Sequence, residues 1–179
     1  MINEDMLIQL SQKMEPISSF VDVYTKKYKR SFANPGIYIF WFDNHDKIIE
    51  NLKRELEVDG PDRINQKLIW NWNLDSEKVC LYVGKSTNMQ KRLGLHLLLG
   101  TKKLYPNATS RLLKKTTSCQ LRSGFEYLYQ NYHGGSIFDE IHKRLFYTII
   151  REDDFVSRFY MEDLLVGKLL PWFNVDSER

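Results

Sequence analysis

The chain has 179 residues, 42% of them hydrophobic and 27% charged, with a formal net charge of +3. This is the length and composition of one soluble globular domain able to bury a sizeable core. No apolar run approaches the ~20 residues of a membrane span, and Met1-Ile2-Asn3-Glu4-Asp5 lacks the basic start of a secretory leader. Cys80 and Cys119 are isolated, with neither a metal-ligand spacing nor a disulfide framework, so a reducing, cytoplasmic setting and no membrane partner are expected.

Residues 3–30 read as helical, broken near Pro16 and closing in the basic-aromatic run Tyr24-Thr25-Lys26-Lys27-Tyr28-Lys29-Arg30. Those tyrosines either pack the helix onto the core or stack on bases. Asn34-Pro35-Gly36 is turn chemistry, and Ile37–Phe42 is a continuous apolar run, as in a strand covered on both faces. A charged helix is expected over 46–57, with Ile48, Ile49, Leu52 and Leu56 on one side, stopped by Asp59-Gly60-Pro61. A short element over 64–74 carries Trp70 and Trp72. Lys78–Val83 reads as the next strand, ended by Gly84.

Thr87 followed by Gln90 fits a capping box, so a helix should open at Asn88 and stop at Gly100. Met89, Leu93 and Leu97 would face the core, with Arg92 and His96 side by side on the adjacent stripe. A further helix is expected over 110–130, a loop over 131–136 and a third strand over 144–151. A last helix should run from Asp154 to Leu170, where Pro171 ends it. Nothing demands a second domain; 1–34 would be a helical extension and 43–77 an insertion.

Charge is unevenly spread. From Lys78 to Phe125 there is no Asp or Glu, while Lys78, Lys85, Lys91, Arg92, Lys102, Lys103, Arg111, Lys114, Lys115 and Arg122 fall there. Such a segment suits a polyanion, because its cations replace condensed counterions. The plainer alternative is a solvated basic face.

Glu162 is oddly placed, in the middle of the apolar stripe Phe155, Phe159, Val166 and Leu169. A carboxylate there needs a cation or hydrogen-bond donors to offset its desolvation. An internal salt bridge would supply this, as would a divalent ion.

Gly36-Ile37-Tyr38, then Tyr82-Val83-Gly84-Lys85, Arg92, His96, Glu162 and Pro171-x-x-Asn174 occur in the order found in the GIY-YIG nucleases, which the chain resembles from about Pro35 to Asn174. The resemblance implies an α/β (α+β) sandwich, with a small, mostly antiparallel three-stranded sheet and helices on both sides. It also implies metal-dependent hydrolysis of DNA phosphodiesters, with Mg2+ as the expected ion and Mn2+ as the alternative. By the same resemblance Tyr38 is the general base, Tyr82 lies near the scissile phosphate and Arg92 contacts that phosphate. Glu162 holds the metal, Asn174 braces the site and His96 stands near the base. Lys85, Lys91, Lys102, Lys103, Lys114 and Lys115 would carry DNA. The self-contained length suits a type II restriction endonuclease, which would act as a homo-oligomer to cut both strands. The alternatives are a repair or mobile-element nuclease, and a binding module that kept the fold and lost the chemistry.

The physics of those roles is separable from the resemblance. A tyrosine with a free pKa of about 10 is a poor base at neutral pH. Lys85, Arg92 and His96 are therefore expected to depress its pKa or relay its proton. The long 43–77 segment leaves the pairing of the two tyrosine strands open.

Overall fold

A computed structural model describes residues 9–10, 12–17, 33–43, 55–59, 65–69, 78–98 and 143–174. Its core is α+β: a four-stranded antiparallel sheet packed against one main helix. The sheet contains β1 (Glu15–Pro16), β2 (Gly36–Asp43), β5 (Lys78–Ser86) and β6 (Leu145–Arg151), in the order β1-β6-β2-β5. A separate two-stranded sheet joins β3 (Glu55–Asp59) to β4 (Asn65–Ile69). The helices are α1 (Met89–Leu98) and α2 (Phe155–Leu169), of which α2 is the main one.

β2 is the centre. It pairs antiparallel with β5 on one side and β6 on the other, so every residue from Gly36 to Phe42 is buried. A strand enclosed on both edges and both faces has no solvent face, which explains its unbroken apolar run. Alternation sends Ile37, Ile39 and Trp41 into one cluster with Cys80, Val83 and Leu165, against which Met161, Val166 and Leu169 of α2 pack. Within it, Trp41 donates through Nε1 to Thr148 Oγ1 at 3.0 Å, and that hydroxyl donates to the Leu10 carbonyl at 3.2 Å. The buried polar atoms are thereby satisfied. Tyr38 and Phe40 point the other way, where they meet His96 of α1.

Several expectations change. The sheet has four strands rather than three, because Glu15 and Pro16 pair with Tyr147 and Phe146. Pro16 therefore sits in a terminal strand, where a missing N–H is tolerated. Of the helix expected over 3–30, Gln9, Leu10, Gln12 and Ile17 are helical, and residues 3–8, 11 and 18–30 lie outside the described ones. β5 continues through Gly84 to Ser86, since Gly36, Ile37 and Tyr38 offer it partners. The end of the helix expected over 46–57 is the strand β3. Glu55-Leu56-Glu57-Val58-Asp59 alternates with period two, and each residue has a partner on β4.

α1 is capped by Asn88 rather than Thr87: Asn88 Oδ1 accepts the Lys91 N–H at 2.9 Å. α2 is capped by Asp154, whose carboxylate accepts the Ser157 N–H at 2.6 Å. Its inward side is Arg158, Met161, Leu165, Val166 and Leu169, so the C-terminal half of the expected stripe, Val166 and Leu169, packs as expected while Phe155 and Phe159 are left outside. Arg158 heads that stripe because its Nη1 donates to the Glu152 and Asp153 carbonyls at 2.9 and 3.3 Å. A polar residue there hid the true face from an apolar-periodicity reading. The helix expected over 110–130, Gly100, Trp70 and Trp72 lie outside the described residues.

Candidate active site

Tyr38 stands at the heart of the cluster. Its hydroxyl lies 3.0 Å from His96 Nε2 and accepts from Arg92 Nε at 3.3 Å. Its ring stacks on Tyr82, with centroids 6.0 Å apart, and meets Phe40 edge-on at 5.6 Å. His96 is enclosed by Tyr38, Phe40 and Tyr82, each ring 5.5 to 5.7 Å away. Local structure explains this convergence. Tyr38 and Tyr82 project from neighbouring strands to one face, while Arg92 and His96 are one turn apart on α1.

Both motif glycines are needed for close approach. A Cβ at Gly84 would lie 2.5 Å from Tyr38 Cζ and 2.7 Å from Tyr82 Cε1. A Cβ at Gly36 would overlap the Ile150 carbonyl oxygen and press on Met89. The first pins the phenol over β5, and the second lets α1 close over the strand pair.

Glu162 and Asn174 arrive at the outer edge of β5. Trp172 N–H donates to the Cys80 carbonyl at 3.1 Å, and Phe173 N–H to the Leu81 carbonyl at 2.8 Å. Asn174 then takes the Val83 N–H on Oδ1 at 2.8 Å and gives Nδ2 to the Val83 carbonyl at 2.7 Å. Glu162 Oε1 continues the row by accepting the Lys85 N–H at 3.0 Å. An edge that would otherwise offer open ladder positions is covered by one turn of chain and two side chains. Asn174 thus braces the strand that carries Tyr82 and Gly84.

The second oxygen of Glu162 forms a salt bridge with Lys85 Nζ. Its expected cation is therefore present as a lysine from the motif itself. Lys85 Nζ also lies 4.4 Å from the Phe159 ring centroid. Lys91 is exposed on α1. Lys102, Lys103, Lys114 and Lys115 lie outside the described residues. Among those residues, no three His, Cys, Asp or Glu side chains gather as a metal cluster.

Electrostatics correct one expectation. Burial pushes the Tyr38 phenol up to about 12, against the lowering effect of Arg92 and a hydrogen bond from Tyr82, and the Glu162 charge raises it further. Desolvation outweighs the nearby cations because Tyr38 is fully enclosed. The same burial, with Arg92 beside it, lowers the His96 imidazole to about 3. His96 is consequently neutral at physiological pH, and its buried Nδ1 has no hydrogen-bond partner among the described residues.

An antiparallel α+β core thus holds a tyrosine–histidine–arginine cluster beside one ion-paired carboxylate. Comparison with protein-family models, curated proteins and solved structures gives no significant match.

Proposed function

We propose that this chain is a metal-dependent DNA endonuclease of the GIY-YIG type, acting in restriction, with helices on both sides of its sheet. One observation carries the reading: the Tyr38 hydroxyl lies within hydrogen-bond reach of both His96 and Arg92, and Glu162 comes in at the strand residue next to Gly84. These groups come from four separate elements, and core packing alone would not require their polar atoms to meet.

A neutral His96, hydrogen-bonded through Nε2 to the Tyr38 hydroxyl, orients that hydroxyl, and its lowered pKa opposes its holding a second proton. The Tyr38 hydroxyl is the candidate acceptor of the attacking water's proton, and the charge of a bound divalent ion and of Arg92 would have to lower its raised pKa for it to act as the base. Arg92 presents its guanidinium to the phosphate, whose charge grows towards the transition state. Tyr82 and Gly84 fix the phenol, and Asn174 fixes their strand.

Glu162 fits a divalent ion that keeps most of its waters, as Mg2+ does with one carboxylate and a substrate phosphate. Lys85 Nζ shares that carboxylate and would give way. Such an ion would polarise a phosphoryl oxygen and stabilise the leaving oxygen.

The test is supercoiled plasmid with Mg2+, with and without EDTA, comparing wild type with Glu162→Ala and Tyr38→Phe. Metal-dependent nicking or cutting should fall at least ~100-fold in both variants. The occupied Glu162 carboxylate favours a second reading, a binding module without turnover. DNA binding with no wild-type cleavage in Mg2+ or Mn2+ would select it.

A further inference from the structure

We propose that the exposed ring of Phe155 is a stacking platform for an unpaired nucleobase next to the phosphate held at Arg92. This rests on the nuclease reading above and adds a substrate preference, namely DNA with an unstacked nucleotide at the site.

A groove of about 360 Å³ opens where β5 leads into α1, lined by Lys85, Lys91, Arg92 and Arg158 together with Phe155, whose ring centroid lies 5.9 Å from the Arg158 guanidinium carbon. Among the described residues, every ionisable side chain lining it is cationic. Arg92 lines it and also donates through Nε to the buried Tyr38 hydroxyl, which links the groove to the candidate base. Phe155 is 66% exposed at the first position of α2, and Phe159, one turn on, is 45% exposed. Two solvent-facing phenyl rings beside cations form the mixed surface that single-stranded nucleic acid uses, with phosphates on the charges and bases on the rings.

Phosphate oxygens suit the cations of the lining, Lys91, Arg92 and Arg158, and the uncharged base is the part of a nucleotide suited to the Phe155 ring. Bases inside a continuous duplex have both faces covered by neighbours, so only a base outside the stack can meet the ring.

The experiment uses the full chain in EDTA, so that cleavage is silent, and follows the anisotropy of a single-stranded oligonucleotide and of the same sequence fully paired. Phe155→Ala should weaken single-strand binding about ten-fold while leaving the duplex within about two-fold. Phe155→Trp should restore it. A 2-aminopurine in the strand should be quenched by wild type and by Phe155→Trp but not by Phe155→Ala. Lys91→Ala should weaken both substrates. If Phe155→Ala binds single strands as wild type does, or loses both substrates equally, while Lys91→Ala still weakens binding, the platform is overturned and the nuclease reading stands. If wild type binds neither substrate in EDTA and also fails to cleave plasmid in Mg2+ or Mn2+, the nuclease reading itself fails.

Discussion

The Tyr38 ring lies over the backbone of its cross-strand partner Gly84, leaving no room for a side chain there. Gly84→Ala should therefore displace the phenol from His96 and Arg92, because β5 is fixed on both sides. Overpacking of this kind costs about 1–3 kcal/mol. Nuclease activity should fall far more than that stability loss would cause. Urea midpoints measured beside plasmid nicking rates separate the two, and a folded Gly84→Ala with wild-type rates would show the close approach to be incidental.

Lys85 and a metal ion compete for the same carboxylate. Lys85→Met removes the ammonium and keeps the stem, so calorimetric titration with Mg2+ or Mn2+ should show tighter binding than in wild type, by roughly ten-fold for one charge-assisted contact. Glu162→Gln should bind neither ion measurably. Equal affinity in wild type and Lys85→Met would place the ion elsewhere.

Asn174 pairs both polar groups of Val83, much as a further strand would. Asn174→Ala leaves that N–H and carbonyl unpaired in a partly buried position, costing about 1–3 kcal/mol. Hydrogen exchange should report it locally, as faster exchange at Val83 and Lys85 with β2 amides little changed.

The site sets a stability window on both sides of neutrality. Unfolded His96 takes up a proton near 6.5, but the folded chain refuses it until about 3. The unfolded state binds more protons in between, so stability falls as pH drops through that range, by up to about 1.4 kcal/mol per pH unit. Tyr38 works in the opposite direction: unfolded it loses its proton near 10.0, folded near 12, so stability falls as pH rises through that interval. Denaturant midpoints across pH should show both limbs. His96→Gln should flatten the acid limb and Tyr38→Phe the alkaline one.

Leu170 ends α2 with φ 47 and ψ 56, a left-handed conformation, and its N–H reaches the Val166 carbonyl at 3.0 Å. Its side chain is exposed, so little packing would be lost on replacement. Leu170→Gly should raise stability by roughly 1 kcal/mol, read as a higher thermal midpoint.

Much of the framework is legible in local chemistry. The apolar run at 37–42, the turn at Asn34-Pro35-Gly36, the helix starting within a residue of Asn88 and the stop at Pro171 all record short-range sterics and burial. These act on neighbouring residues and leave a periodic trace. The adjacency of Arg92 and His96 follows in the same way from their four-residue spacing on one helix.

Pairing and desolvation left no such trace. Only the folded chain joins β2 to β5 across the residues between them, adds Glu15–Pro16 to the sheet and rotates α2 so that Arg158 faces inward and Phe155 outward. Only there does Glu162 find Lys85, and only there does enclosure raise Tyr38 against three expected cations. The physical reason is common to all of these: they are sums over groups distant in sequence, and a hydrophobic period reports which face is buried without saying against what.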